Sequence, residues 1–411
     1  MALVDALRTF MYVSLWGKPV ISVARGLSGL IKSIFRSGEQ GFAYDINDIS
    51  TLFQDAAGTT PVTAAGQPVG LVLDKSKGLV LGGELVVNGD FSNGLTGWTP
   101  VVTAPGTVNI VNGTAELIAV GTGAVARLRN LLTVSSGIWY KVQVDVTGNT
   151  SASTVLQLGS TAGGIDYGNF ALVTGKNTFY VYVAGTNLHV QFYKGTNNGT
   201  VYIDNVSIKS ISGNHAYQTT SSMRPLLQRN ATTGAYYLAF DGTDDYLVTS
   251  SIDFTATDKV SLFAGVRKLS DGAQSLVAGL GIAAGNGTFS IFAPSFSGGK
   301  NFAVWSKGTL LSANAYSTTH TSPVSAVITG KANIAGDSTL LRINGVSIIT
   351  DTADQGTGNY SNLPLYIGRN NGATFPLNGH LYSLVGIARL STDAETIALE
   401  KSIAKNVGVM L

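Results

Sequence analysis

The sequence predicts a mainly β protein, with a short helical N-terminal segment followed by two antiparallel β-sandwich domains in tandem. Three observations carry this reading. The chain has 411 residues, more than one core at the usual ~100–200 residues per domain. It contains 50 glycines and 9% aromatics, a glycine share well above the typical ~7%, which suits turns and sheets better than long bundles. From residue 84 onward, short runs alternate apolar and polar residues and are broken by Asn-Gly pairs, the pattern of hairpins with type I′ turns.

Composition also narrows the function. Lys and Arg number 26 against 24 Asp and Glu, a net charge of +2, which is no footprint for nucleic acid. The absence of cysteine excludes disulfides, thiolate zinc sites and cysteine nucleophiles, and fits folding in a reducing cytoplasm. Arg8, Lys18, Arg25 and Lys32 interrupt the N-terminal apolar region before it reaches the ~18 residues of a membrane span. Asp5 and the lack of a cleavage site argue against a secretory signal.

The first element, residues 1–40, carries five basic residues and Asp5 up to position 36. Leu3, Leu7, Phe10 and Met11 recur at helical spacing. After Gly17-Lys18-Pro19, the residues Val20, Ala24, Leu27, Ile31 and Ile34 step by 4, 3, 4 and 3, forming one seam of a helix. Gly26 and Gly29 weaken that helix by about 1 kcal/mol each, so the seam needs a partner surface. Docking to another protein or self-association is the expectation. Packing on this chain's own core or on a membrane surface are the alternatives.

Residues 41–83 read as a turn-rich connector. Asp45, Asp48 and Asp55 lack the spacing of an EF-hand and read as turn caps. The run Gly41-Phe42-Ala43-Tyr44-Asp45, continuing to Gln67-Pro68-Val69-Gly70, resembles a stretch that precedes displayed β domains in virion structural proteins of tailed bacteriophages.

Residues 84–212 form the first sandwich. Tyr140, Val142, Val144 and Val146 share one strand face, as do Phe179, Val181 and Val183, and Leu188, Val190 and Phe192. The opening Asn88-Gly89-Asp90-Phe91 through Gly97-Trp98 and the closing Val201-Tyr202-Ile203-Asp204-Asn205 resemble carbohydrate-binding modules of the jelly-roll type. The resemblance implies a structural calcium held by Asp204 with help from Asp90, and Trp98 is expected in the core. If the strands pair as neighbours, Lys141, Tyr180, Tyr182, His189, Gln191 and Tyr193 share one polar, aromatic surface. Sugars stack on aromatics and need donors and acceptors alongside, so this face is the expected glycan site. An ordinary solvated sheet face is the alternative.

Residues 213–411 form the second sandwich. Phe240-Asp241-Gly242-Thr243-Asp244-Asp245-Tyr246, Ile343-Asn344-Gly345-Val346 and Leu365-Tyr366-Ile367-Gly368-Arg369 resemble concanavalin-like and laminin-G-like jelly rolls. Thr392 and Glu395 make a capping box for a closing helix. Asp241, Asp244 and Asp245 read as turn caps, with calcium bound by Asp244 and Asp245 as the alternative. Trp305, Tyr316 and Arg369 are further binding candidates, and Trp305 reads equally as a core residue. The chain holds five glutamates and none of the familiar nucleophile-elbow, zinc-protease or phosphate-loop motifs, so catalysis is not expected and no cofactor is required.

Taken with the resemblances, the expectation is a non-enzymatic component of a tailed-phage virion, a tail fibre or other surface appendage anchored by its N-terminus and displaying its sandwiches toward the host surface, made in the host cytoplasm and exposed at the particle surface. Its partners would be other virion proteins, copies of itself as a trimer, and host cell-surface glycan. A head fibre or capsid decoration protein with an architectural role, and a bacterial surface lectin or adhesin, are the alternatives.

Overall fold

The computed structural model describes residues 11–13, 19–21, 26–150, 154–195, 199–371 and 373–411. Antiparallel sheets dominate it, with one short helix near each end, α1 at Leu27–Ile34 and α2 at Asp393–Val407.

The N-terminal helix is shorter than its seam predicts. Leu3, Leu7, Phe10 and Ala24 lie outside the described residues, and Val20 belongs to the strand Pro19–Ile21, paired with Met11–Val13. Leu27, Ile31 and Ile34 do form one apolar stripe, but it is spent inside this chain. They are buried with Phe263 and Val385 of a sheet and with Leu399, Ile403 and Val407 of α2. For Leu27, Ile31 and Ile34 the docking and self-association role expected of this seam is therefore corrected. An amphipathic stripe says that a partner exists and not which one, and here α2 supplies it.

The region expected as a connector is also part of the architecture. Gly41–Asp45 pairs antiparallel with Asn378–Ile387, and Leu52–Phe53 and Leu71–Val72 complete one edge of a large sheet. Among the described residues, the second sandwich thus has a nine-stranded sheet running from Ser312–Tyr316 at one edge to Leu52–Phe53 at the other. Its facing eight-stranded sheet is centred on Asn378–Ile387 and Lys259–Lys268. Phe42, Leu262, Ile291, Val304, Ile328 and Leu365 fill the space between them. The first sandwich is inserted between residues 74 and 214 of this body, so the two sandwiches are nested.

Among the described residues, the inserted sandwich has two five-stranded sheets. One runs in the order Gly175–Val183, Ile138–Asn149, Gly199–Ile211, Thr114–Ala119, Thr107–Val111. The other runs Gly168–Ala171, Thr154–Gly159, Asn187–Lys194, Val125–Thr133, Thr99–Thr103. Val142, Val144, Leu156, Leu158, Val190 and Ile203 face one another across the core. Trp98 sits in it as expected, between Phe91 and Phe192, with Nε1 donating to the Asn88 carbonyl at 3.1 Å.

Local signals are realised in part: Asn93-Gly94 lies in a loop and closes no hairpin, and Asn198 lies outside the described residues. Asn112-Gly113 and Asn344-Gly345 close hairpins with both residues at positive φ. Asn88 also has positive φ but closes a loop, its amide donating to the carbonyls of Gly94 and Thr96. The Thr392 box on α2 makes both of its hydrogen bonds, and Gly408 ends the helix in the left-handed conformation. No helix among the described residues is long and apolar enough to cross a membrane.

Candidate functional site

The surface predicted to bind glycan is divided by the fold. Strand Gly175–Val183 pairs with Ile138–Asn149 in one sheet, whereas Asn187–Lys194 pairs with Thr154–Gly159 and Val125–Thr133 in the other. The link between them, residues 184–186, crosses the sandwich and makes no hairpin. Lys141, Tyr180 and Tyr182 consequently lie on the opposite outer face from His189, Gln191 and Tyr193. Each group alternates with core residues as expected, so parity was right and pairing was wrong.

The Tyr180 face is the joint between the two sandwiches. Tyr180 packs on Phe53 at 5.2 Å, and its backbone N–H donates to the Ala57 carbonyl at 2.7 Å. Leu71, Leu73, Trp139 and Ile211 are buried with it. Burial raises the Tyr180 phenol above its ordinary value. Tyr182 lies 5.9 Å from Trp139 on the wall of a 450 Å³ cavity shared with Lys77, Asn214 and Ser250. Tyr180, packed shut in this joint, is corrected as a glycan contact.

The knot of the joint is Asp74. Its carboxylate accepts from the N–H groups of Ala43, Ser76 and Asn214 at 2.7–2.8 Å and from the Ser76 hydroxyl at 2.6 Å. Its own N–H donates to Nδ1 of His215 at 3.0 Å. These bonds tie together the points where the chain leaves the outer body and returns to it.

The other outer face is polar, with Arg127, Arg129, Gln157, His189 and Tyr193 partly exposed and Gln191 buried among them. Register places Arg127 beside Tyr193, Arg129 beside Gln191 and then Gln157, and Leu131 beside His189. The Arg127 guanidinium lies over the Tyr193 ring, 5.2 Å from its centroid. Arg129 Nε donates to Gln191 Oε1 at 2.5 Å, and Gln191 Nε2 donates to Gln157 Oε1. This ladder holds three planar groups side by side. The turn at Gly163 (φ +79°) closes one flank, where an added Cβ would sit 3.7 Å from both Arg129 and Gln191. Beside the ladder runs a groove of about 400 Å³ lined by Thr99, Val101, Arg129, Leu131 and His189. Arg127 and Arg129 were not anticipated. Their signal is two arginines at a spacing of two within the mostly apolar strand Val125–Thr133, the mark of one solvent-facing side.

The remaining candidates are scattered. Trp305 is half-buried on the outer face of the nine-stranded sheet, 4.3 Å from Phe292 and packed with Leu276 and Phe375. Arg369 lies 4.2 Å from the Tyr246 ring, and Tyr316 is exposed, edge-on to Phe296. Asp90 caps Ser92, and Asp204 accepts from the Asn205 N–H. Neither belongs to a group of three metal-ligand side chains among the described residues. Asp241, Asp244 and Asp245 do, with carboxylate oxygens within 4.8 Å of one another. Asp241 accepts from the N–H groups of Thr243 and Asp244, and Asp245 from that of Asp241, so two of the three cap the turn. Burial, then the neighbouring Asp241 and Asp244 charges, raises Asp245 to about 6.

All five glutamates are engaged. Glu84 receives the Val86 and Ile208 N–H groups and the Ser207 hydroxyl, and Glu116 receives Asn109. Glu39 and Glu395 face Arg389, and buried Glu400 faces Arg342.

No protein-family model and no curated protein matches the sequence. Among solved structures, the chain is similar to the Ruminococcus gnavus IT-sialidase CBM40 bound to α2,3-sialyllactose. That match has 16% identity and a TM-score of 0.29, and covers 35% of this chain and 83% of that one. It is also similar to the botulinum neurotoxin serotype D binding domain (9% identity, TM-score 0.34, 45% of this chain and 48% of that one). A third likeness is to the binding domain of botulinum neurotoxin DC in complex with SialylT (12%, TM-score 0.34, 46% and 50%).

Proposed function

We propose that this chain is a non-enzymatic glycan-binding protein whose working surface is the polar outer face of the inserted sandwich. The observation that carries the reading is the ladder Arg129–Gln191–Gln157 beside Arg127 and Tyr193. Buried Gln191 holds the Arg129 guanidinium and the Gln157 amide in line, and these partly exposed planar groups present donors and acceptors to neighbouring hydroxyls. Tyr193 offers part of an aromatic surface, and the groove flanking the ladder is within the ~300–1,000 Å³ of small-ligand sites. The non-enzymatic part of the reading is supported by the glutamates, each of which is occupied by a structural partner.

The setting we propose is the surface of a tailed-phage virion, which rests on the resemblance of residues 41–82. The trimer expected from the N-terminal seam loses that basis, because the described part of the seam is buried within the chain. Binding is tested by retention on immobilised glycans. The chain should be retained, and Gln157→Ala, at a partly exposed position of the ladder, should lose retention while keeping its melting temperature within a few degrees. Retention that survives Gln157→Ala refutes this face. Immunogold labelling of particles with an antibody against residues 215–411 tests the setting, and particles free of label would refute it.

A further inference from the structure

The glycan-binding reading leaves the class of sugar open, and the charge on the same face narrows it. Arg127 and Arg129 are two residues apart on one strand and project to the same side. Among the described residues, neither guanidinium has a carboxylate within salt-bridge distance. Two other arginines of the chain, Arg342 and Arg389, are bound to glutamates. Arg127 rests on the Tyr193 ring, and Arg129 is oriented through Nε alone, so its terminal nitrogens remain available.

The neighbours on the face are neutral: Gln157, Gln191, Thr99 and Val101, with His189 alongside. An uncompensated pair of cations on a preorganised polar surface is complementary to an anion. A guanidinium donates two parallel hydrogen bonds to a carboxylate or sulfate, and lysine has no equivalent geometry. We infer that the face selects anionic glycans, sugars carrying a carboxylate or sulfate, with Arg127 and Arg129 meeting the acidic group, Gln157 meeting neighbouring hydroxyls and the buried Gln191 holding Arg129 and Gln157 in place. This inference rests on the glycan-binding reading.

The test prints uronic, sialic and sulfated glycans beside their neutral counterparts, methyl esters for the carboxylates and desulfated forms for the sulfates, and probes them with the intact chain. At least one acidic member should bind about 10-fold or more above its neutral partner, the weight of a charge-assisted hydrogen bond. That preference should shrink as salt rises from 50 to 500 mM. Arg129→Ala should abolish the preference. Arg127→Gln removes a charge without touching the ladder and should reduce it even if Arg129→Ala proves unstable. Equal binding to acidic and neutral partners overturns this inference and leaves the glycan-binding reading standing. Binding to no glycan overturns both.

Discussion

His215 gives the joint a defined pH dependence. It is fully buried, its Nδ1 accepts the Asp74 N–H at 3.0 Å, and the Trp139 ring lies 5.4 Å away. Burial pushes its pKa down from 6.5 to about 3. Between those values the unfolded chain binds a proton that the folded chain refuses, so stability falls as pH falls from 6.5 towards 3. The slope is about 1.36 kcal/mol per pH unit, which makes ~2 kcal/mol lost at pH 5. His215→Asn keeps an acceptor for Asp74 and removes the titration. Urea unfolding of both proteins at pH 7 and pH 5 measures the difference, and the carboxylates cancel because they titrate alike in the two. The wild type should lose ~2 kcal/mol more than the variant on going to pH 5. Parallel losses would show that the imidazole is not held neutral and that the joint is wet.

Three further outcomes follow from the packing. Ile31→Ala should cost about 2–5 kcal/mol of stability in chemical unfolding without changing the sedimentation coefficient; a change of assembly state instead would restore the docking role of the N-terminal seam. Glu400→Gln leaves Arg342 facing a neutral partner against α2 and should cost about 3 kcal/mol, whereas a loss below about 0.5 kcal/mol would place that pair in the class of surface ion pairs. Tyr180→Ala removes the contact with Phe53 and should speed proteolytic cleavage in the two links near residues 79–84 and 212–214, with glycan retention unchanged; retention lost together with the joint would refute the separation of the two faces.

Much of the fold was legible because its signals are local. Alternation in the strand Ile138–Asn149, the Asn-Gly turns, the burial of Trp98 and the Thr392 capping box all depend on residues within a few positions of one another. What escaped was long-range. Gly41–Asp45 pairs with a strand some 340 positions away, and nothing in five buried residues names that partner. The same limit split the predicted binding face. Alternation fixes which side of a strand is apolar, and a three-residue link between Gly175–Val183 and Asn187–Lys194 is equally compatible with a hairpin and with a crossing between sheets. The arginines were visible as Arg127 and Arg129, but their importance depends on Gln157 and Gln191, which only pairing brings alongside.

The division of that face is also what makes the inserted sandwich suited to display. A sandwich has two outer faces. Here one carries Trp139, Tyr180 and Tyr182, whose aromatic area is stabilised by burial against Phe53, Leu71 and Tyr217 of the outer body. The two links run side by side, with Gly82 donating to Ser210 and Ser212 to Val80, and Asp74 fastens both to the strand at Ala43. An insertion held at both ends and along one face has little freedom to reorient. Because the Arg127–Tyr193 face lies on the other side of the same core, fixing the aromatic face to the body aims the polar face away from it. On the proposed function the joint therefore sets the direction of binding, and a variant that loosens it should alter how the face is presented while leaving its affinity for a free oligosaccharide unchanged.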